Sequence, residues 1–407
     1  MEPDDNDDYD VAGSCRHLLD LPADATSRVL ALVGDGISLA QTSACCRALR
    51  AQVTNELWRE VVLQAWGWLL GIRLGAACDW RLLYVRLHTG QSSLRSDDTV
   101  VRFCVVGTCV ELGIHQSSAH EFDPSQKVWR AMPAPTALRD MPAVVRSLAG
   151  ELIVIGGISA QYSEHGIPTV MQTLASVESF ADGAWTARAP MRTARCCCSA
   201  ALDINGSIFV VGGGASMYRG AACLRSVERL DTGSGVWVEA PEMESTRCAV
   251  GVASSFEHNR LFAFGGYSGA LAYLDTAEAL DMSAGADARW VQLPPMTCKR
   301  AGCNAACGPD GRVYVLGGGP DGQRQWNTME ILDPRTDTWQ LSSAKLRWGR
   351  HYNASAFGPD GYLYASGTFR HSGQLDVVER YDPRVDKWET LPKIGTTVHF
   401  SAGAFLF

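Results

Sequence analysis

From about residue 100 onward, short apolar runs alternate with turn residues in a pattern that recurs along the rest of the chain. One unit opens with small residues, Ala301-Gly-Cys-Asn-Ala-Ala-Cys307, crosses a turn and enters the apolar run Val313 to Leu316, which stops at glycine. Runs of about 4 to 8 residues bounded by turn signals predict strands rather than helices. Asp310-Gly311 between two such runs predicts a hairpin, because glycine reaches positive φ without a Cβ clash. The doublet Gly317-Gly318 marks a sharp bend beside neighbouring backbone. A third run, Met329 to Leu332, and an Asp333-Pro334 corner lead to Trp339 on an outer strand, where a large ring fills the wedge beside the next unit.

The spacing of these markers sets the architecture. Gly107, Gly156, Gly212, Gly265, Gly317 and Gly367 are followed 21 to 29 residues later by Trp129, Trp185, Trp237, Trp290, Trp339 and Trp388. Successive glycines lie 49 to 56 residues apart, the length of four short strands and their turns, so each unit reads as one blade of a six-bladed ring. Arg139, Arg195, Arg300 and Arg350 precede their glycine by 17 residues and Arg247 by 18. A glutamate recurs on the third strand as Glu121, Glu178, Glu228, Glu278, Glu330 and Glu379. Blade 1 begins at its second strand, Val100 to Val106, and the segment His399 to Phe405 aligns with His351 to Phe357 of blade 6. A C-terminal strand therefore completes blade 1, which removes the open sheet edges and locks the ring.

This pattern resembles the kelch repeat over residues 100–407. The resemblance implies a mainly β fold, a six-bladed kelch β-propeller closed by its C-terminal strand. Blades 1 and 6 depart from it with Gly107-Thr108 and Gly367-Thr368 in place of the glycine doublet, and blade 4 carries an Ala-rich insertion before Trp290.

The apolar period changes before residue 65. Leu21-Pro22 opens a segment in which Ala25, Val29, Leu32 and Val33 recur at helical spacing, and Leu39, Thr42, Cys46, Leu49 and Val53 share one face of a second helix. Leu57-Trp58 begins a third element. The run from Leu21-Pro22 through Cys45-Cys46-Arg47 to Leu57-Trp58 resembles an F-box, with Leu49 where that family usually has tryptophan and a first loop one residue longer. The resemblance implies a small all-α F-box domain that binds a Skp-family adaptor and hangs the propeller on a cullin-RING ubiquitin ligase. Carried over, the pattern's apolar positions are Leu21, Pro22, Val29, Leu30, Val33, Leu39 and Trp58. The expected organisation is an acidic disordered tail at 1–14, the F-box domain at 15–64, a helical linker at 65–99 and the propeller at 100–407.

Charge and composition narrow the function class. The net charge is −8, from 36 basic and 44 acidic residues, but residues 1–10 hold six acids and no base, which leaves −2 for the rest. A nearly neutral body argues against nucleic-acid binding, which needs a basic excess to meet phosphates. The longest apolar stretch, Val61 to Ile72, falls short of the ~20 residues of a membrane span. The 14 cysteines lie well below a disulfide scaffold's density and lack framework or zinc-knuckle spacing, so they read as buried core thiols of a cytoplasmic or nuclear protein.

Two candidate sites remain. The aligned Arg139, Arg195, Arg247, Arg300 and Arg350 would circle one mouth of the central channel, where guanidinium groups suit an acidic or phosphorylated target, while Val398 interrupts the row in blade 1. The competing reading makes each arginine a brace between neighbouring blades, paired to the aligned glutamates. An enzymatic or metal-binding alternative rests on His351 and His399, at equivalent positions in adjacent blades, with Tyr352 alongside. No carboxylate completes that pair at recognisable spacing, so the expectation is a non-catalytic substrate-recognition subunit with no cofactor and an unknown protein target.

Overall fold

Small side chains lie closest to the axis because six strands converge there. Inner strands such as Ser199–Leu202, Gly251–Ser255, Ala301–Cys307 and Ala354–Phe357 consist largely of Ala, Ser, Gly and Cys. The second strands of blades 2 and 3, by contrast, are solidly apolar and buried, Leu152–Ile155 and Ile208–Val211. A computed structural model describes residues 102–406 apart from short stretches at 112–113, 148, 163–167, 217–221, 270–271, 359, 368–376 and 395–397. The expected tail, F-box domain and linker lie outside the described residues, as do Leu21, Pro22, Val29, Leu30, Val33, Leu39 and Trp58.

The described residues form six four-stranded antiparallel sheets and one two-stranded hairpin. Inner strands of neighbouring blades pack against one another all the way round, including the strand Val398–Leu406 against those of blades 2 and 6. That strand pairs with Arg102–Glu111 in the register Phe103 to Phe405 and Cys104 to Ala404, so the chain's C-terminus completes blade 1 as its sequence predicts. The second strand of blade 1 runs on to Glu111 instead of stopping at Gly107, and that of blade 5 runs through its doublet to Gly319. Blade 2 carries the extra hairpin, Ile158–Tyr162 with Pro168–Thr173, between its second and third strands. This insertion accounts for its 29-residue spacing from Gly156 to Trp185.

Two devices stitch blade to blade. On the outer strands, each tryptophan pairs across to a bulky apolar residue of the third strand, as Phe122 with Trp129 and Leu280 with Trp290. The indole N–H of Trp185, Trp237, Trp290 and Trp339 donates to Pro133, Ala189, Pro241 and Pro294, which leave the preceding blade, at 2.7–2.8 Å. Trp129 reaches Pro392 of blade 6 at 3.1 Å and so carries the same stitch across the closure. Near the axis the glycine doublets do the joining. The N–H groups of Gly157, Gly213, Gly266 and Gly318 donate to the carbonyls of Arg195, Arg247, Arg300 and Arg350 in the next blade at 2.8–3.0 Å. A Cβ on the first glycine would meet that same carbonyl, 2.3 Å away at Gly212 and 2.1 Å at Gly265, and φ there is +61° and +59°. Glycine is required on both counts. In blade 1, Thr108 stands second and its hydroxyl donates to the Arg139 carbonyl at 3.4 Å.

Candidate functional site

The two ends of the ring differ in kind. At one end the strands turn back through tight corners. Asp231, Asp333 and Asp382 each accept the N–H two residues on, which fixes the corner between third and outer strands. At the other end lie the glycine doublets, the arginines, and the segments joining second to third strands, which run from Gly156 to Ser176 in blade 2 but only from Gly265 to Thr276 in blade 4. Variation in length and sequence is concentrated at this loop end.

The five aligned arginines stand there, but their guanidinium groups face inward. Arg139, Arg195, Arg247, Arg300 and Arg350 are at most 2% exposed. Arg247 is representative: Nε and Nη2 donate to Glu278 Oε1 at 3.1 and 2.8 Å, Nη1 to the carbonyls of Gly265 and Thr276 at 2.7 and 2.9 Å, and Nη2 to Thr276 Oγ1 at 2.8 Å. The pairs are Arg139 with Glu178, Arg195 with Glu228, Arg247 with Glu278, Arg300 with Glu330 and Arg350 with Glu379. Each pair therefore joins a blade's entry segment to that blade's own third strand, and the links between neighbouring blades are the backbone and indole bonds instead. The glutamates also accept backbone N–H groups of the entry segment, Glu278 from Glu244 and Ser245 at 2.7 and 3.1 Å, so both charges of the Arg247–Glu278 pair are fully hydrogen-bonded, whereas Nε of Arg195 and Arg350 makes no hydrogen bond. Burial pushes the Glu178 carboxyl up, but hydrogen bonds from Thr136 and Arg139 outweigh it and hold the group below its ordinary range. In blade 1, with Val398 at the arginine position, Glu121 pairs with Arg102.

Two residues beyond each arginine the backbone turns left-handed, at Met141, Cys197, Ala249, Gly302 and Tyr352, with φ between 53° and 69°. The N–H groups of Cys197, Ala249, Gly302 and Tyr352 donate to the carbonyls of Met141, Cys197, Ala249 and Gly302 at 2.8–3.2 Å, blade to blade around the axis. The side chains of Met141, Cys197, Ala249 and Tyr352 pack with Ile158, Cys196, Ala301 and Tyr267 in one apolar cluster. Burial, reinforced by the thiols of Cys197 and Cys248, pushes the Tyr352 hydroxyl well above its usual range. Only Gly302 among the five announces a left-handed turn in the sequence; the other four are held there by the hydrogen-bonded ring.

His351 is buried, edge-on to Tyr352 at 4.6 Å and packed over Gly302, where a Cβ would come within 2.6 Å of the imidazole. The backbone of His399 pairs opposite Thr108, and its side chain lies outside the described residues. Among the described residues no group of three His, Cys, Asp or Glu side chains is placed to hold a metal ion. No described helix is long and apolar enough to cross a membrane.

Among the described residues two tryptophans stand outside the repeat, and both are at the loop end between blades 5 and 6. Trp326 precedes the third strand of blade 5 and donates from Nε1 to the Lys299 carbonyl at 2.9 Å, while its own carbonyl accepts from Arg350 N at 3.1 Å. Trp348 lies in the entry segment of blade 6, with the Arg347 guanidinium 4.6 Å above its ring. Both indoles are partly exposed, and Lys299, Lys345 and Arg347 are exposed with no ion pair among the described residues. The entry segment of blade 4 instead carries Glu242 and Glu244. The loop end is therefore basic and aromatic on one side, a feature whose sequence signal was tryptophan away from the repeat position.

The kelch motif matches residues 195–244, 300–343 and 350–394, which are blades 3, 5 and 6. The chain carries kelch repeats. Kelch domain-containing protein 8B of Rattus norvegicus is 40% identical over 111 residues, 26% of this chain and 28% of that protein. An F-box/kelch-repeat protein of Arabidopsis thaliana is 31% identical over 109 residues, 26% of this chain and 37% of its own length. The match thus spans about a third of these relatives. The solved structure of YjhT shares the fold, with a TM-score of 0.56 at 16% identity, covering 72% of this chain and 98% of that one. Blades 1, 2 and 4, outside the motif match, share the four-stranded sheet of the kelch blades and the indole stitch of blades 3 and 5.

Proposed function

We propose that this kelch protein is a non-catalytic substrate receptor of a cullin-RING ubiquitin ligase. The propeller captures a target protein at its loop end, and the N-terminal segment binds a Skp-family adaptor through Leu21, Pro22, Val29, Leu30, Val33, Leu39 and Trp58. The observation that carries the propeller half is the asymmetry of the ring, with tight Asp-fixed corners at one end, lengthened only in blade 4, and at the other dissimilar loops whose Lys299 and Arg347 make no ion pair among the described residues and lie beside Trp326 and Trp348. Binding residues concentrate on loops held by a rigid scaffold, and tryptophan and arginine are the side chains that contribute most when an interface forms around them. The F-box half is supported by the Leu21-Pro22 to Leu57-Trp58 pattern and by the likeness to an F-box/kelch-repeat protein.

In this reading the five buried arginines are braces that hold the loop end, and contact with an acidic target segment falls to Lys299, Arg347, Trp326 and Trp348. The test is capture of both partners by one chain. Full-length protein retrieves the adaptor and a target; the Leu21→Ala/Pro22→Ala variant loses the adaptor alone, and Trp348→Ala loses the target alone. If the intact chain never retrieves a Skp-family adaptor, the ligase reading falls while the binding reading survives.

A further inference from the structure

Two thiols with no part in the braces or stitches meet at the loop end between blades 3 and 4. Cys223 lies in the segment joining the second and third strands of blade 3, and Cys248 follows Arg247 into the inner strand of blade 4. Their Sγ atoms are 2.9 Å apart although 25 residues separate them in sequence. The backbone holds both in place. Cys223 bridges to Gly214, which bridges in turn to Cys196, and Cys248 exchanges both backbone hydrogen bonds with Tyr267 at 2.9 and 2.8 Å. Both are partly exposed, whereas Cys104, Cys109, Cys196, Cys197, Cys198 and Cys303 are buried.

We propose that Cys223 and Cys248 are a redox-reactive pair, a site that hydroperoxide converts into a disulfide stapling blade 3 to blade 4 at the loop end. A disulfide needs its sulfurs at about 2.05 Å, so the closure asked of these two groups is less than about 1 Å. The two thiols play different parts. The hydrogen bond shared with Cys248 holds the Cys223 thiol below its ordinary range, whereas the same bond, together with burial, pushes the Cys248 thiol up. Cys223 is therefore the attacking group and Cys248 the resolving one.

The Cys223 thiolate attacks one peroxide oxygen; the O–O bond breaks, hydroxide leaves and takes the Cys248 proton as water, and Cys223 is left as a sulfenic acid. The Cys248 thiolate then attacks the Cys223 sulfur; the S–S bond forms, the S–O bond breaks, and the departing hydroxide joins the proton first released by Cys223 to give a second water. Two thiols have lost two electrons and two protons, and one peroxide has become two waters. The product closes the chain from 223 to 248 and fixes the third blade's loop against the entry of the fourth, at the same end of the ring as the proposed target surface. The staple stands on thiol geometry alone and is tested without any target.

The experiment uses the full reduced chain, treated with hydrogen peroxide, alkylated and mapped by mass spectrometry. A peptide pair joined through Cys223 and Cys248 is expected, with two of the 14 thiols lost and both restored by dithiothreitol. The C248S variant should trap Cys223 as a sulfenic acid that a dione probe captures, and C223S should give neither product. C223A and C248A give the same reading if serine disturbs the packing. Cys223 and Cys248 remaining fully alkylated at peroxide concentrations that oxidise other cysteines would overturn the proposal, as would Cys248 crosslinking to Cys196 instead.

Discussion

Replacing Arg247 by Met separates a brace from a ligand-binding residue. The guanidinium and the Glu278 carboxylate are both fully buried, and the substitution removes five hydrogen bonds at once. Glu278 keeps two backbone N–H partners but is left as a buried charge without its counter-ion, and the Gly265 carbonyl loses its donor while that of Thr276 keeps the Gly265 N–H. Breaking a buried pair in this way costs about 3–5 kcal/mol. A propeller of roughly 300 residues unfolds with an entropy of about 0.6 kcal/mol/K, so the melting temperature should fall by about 5–8 °C. Two controls sharpen the result. Arg247→Met/Glu278→Leu removes both charges and should recover most of the loss, because an apolar pair of similar volume replaces the ions without stranding either. Arg102→Met breaks the blade 1 pair, whose arginine side chain is 32% exposed, and should cost about 1 kcal/mol or less because solvent already screens it. Differential scanning calorimetry on the three variants, with target capture measured alongside, decides the matter. An Arg247→Met protein that melts within about 1 °C of wild type while losing its target refutes the brace.

The remaining predictions concern the stitches, the closure and acid stability. Gly212→Ala places a Cβ 2.3 Å from the Arg247 carbonyl at positive φ, whereas Gly235→Ala meets nothing within 4 Å; urea unfolding should show about 1–2 kcal/mol for the second and clearly more for the first. Deleting residues 396–407 strips the inner strand from blade 1 and exposes the edge of Arg102–Glu111, so the product should be insoluble; a soluble truncation with an unchanged melting temperature contradicts the closure. The folded state holds the Glu178 carboxyl below its ordinary value. Its contribution is complete above the unfolded pKa of about 4.3 and is lost as pH falls through the lower folded value, so Glu178→Gln should flatten the acid limb of the stability curve in that window.

The β architecture was legible because each recurring residue answers a constraint that only a few side chains satisfy. A glycine facing the Arg247 or Arg300 carbonyl admits no Cβ, and the outer-strand tryptophan must both pack on the third strand and reach a carbonyl of the blade before it. Equal spacing of such residues fixes the number of blades, and the alignment of His399 to Phe405 with His351 to Phe357 locates the closing strand. The side-chain directions were not legible. An arginine at a channel mouth and an arginine turned into its own blade leave the same spacing in the sequence, and only the depth of Glu278 and its partners separates them. The left-handed ring at Met141, Cys197, Ala249 and Tyr352 gave no signal because none is glycine, asparagine or aspartate; neighbouring blades impose the conformation. The blade 2 hairpin left only a longer spacing, and Trp326 and Trp348 were masked by the six tryptophans of the repeat.

Affinity purification of the full chain from cells under proteasome inhibition, with quantitative mass spectrometry on wild type, Leu21→Ala/Pro22→Ala and Trp348→Ala in parallel, tests the central claim most directly. Wild type should retain a Skp-family adaptor, a cullin and at least one further protein whose abundance rises under inhibition. The double variant should lose adaptor and cullin yet keep that protein, and Trp348→Ala should keep adaptor and cullin yet lose it. A wild-type chain that retains no adaptor, or a Trp348→Ala chain whose partners are unchanged, contradicts the account.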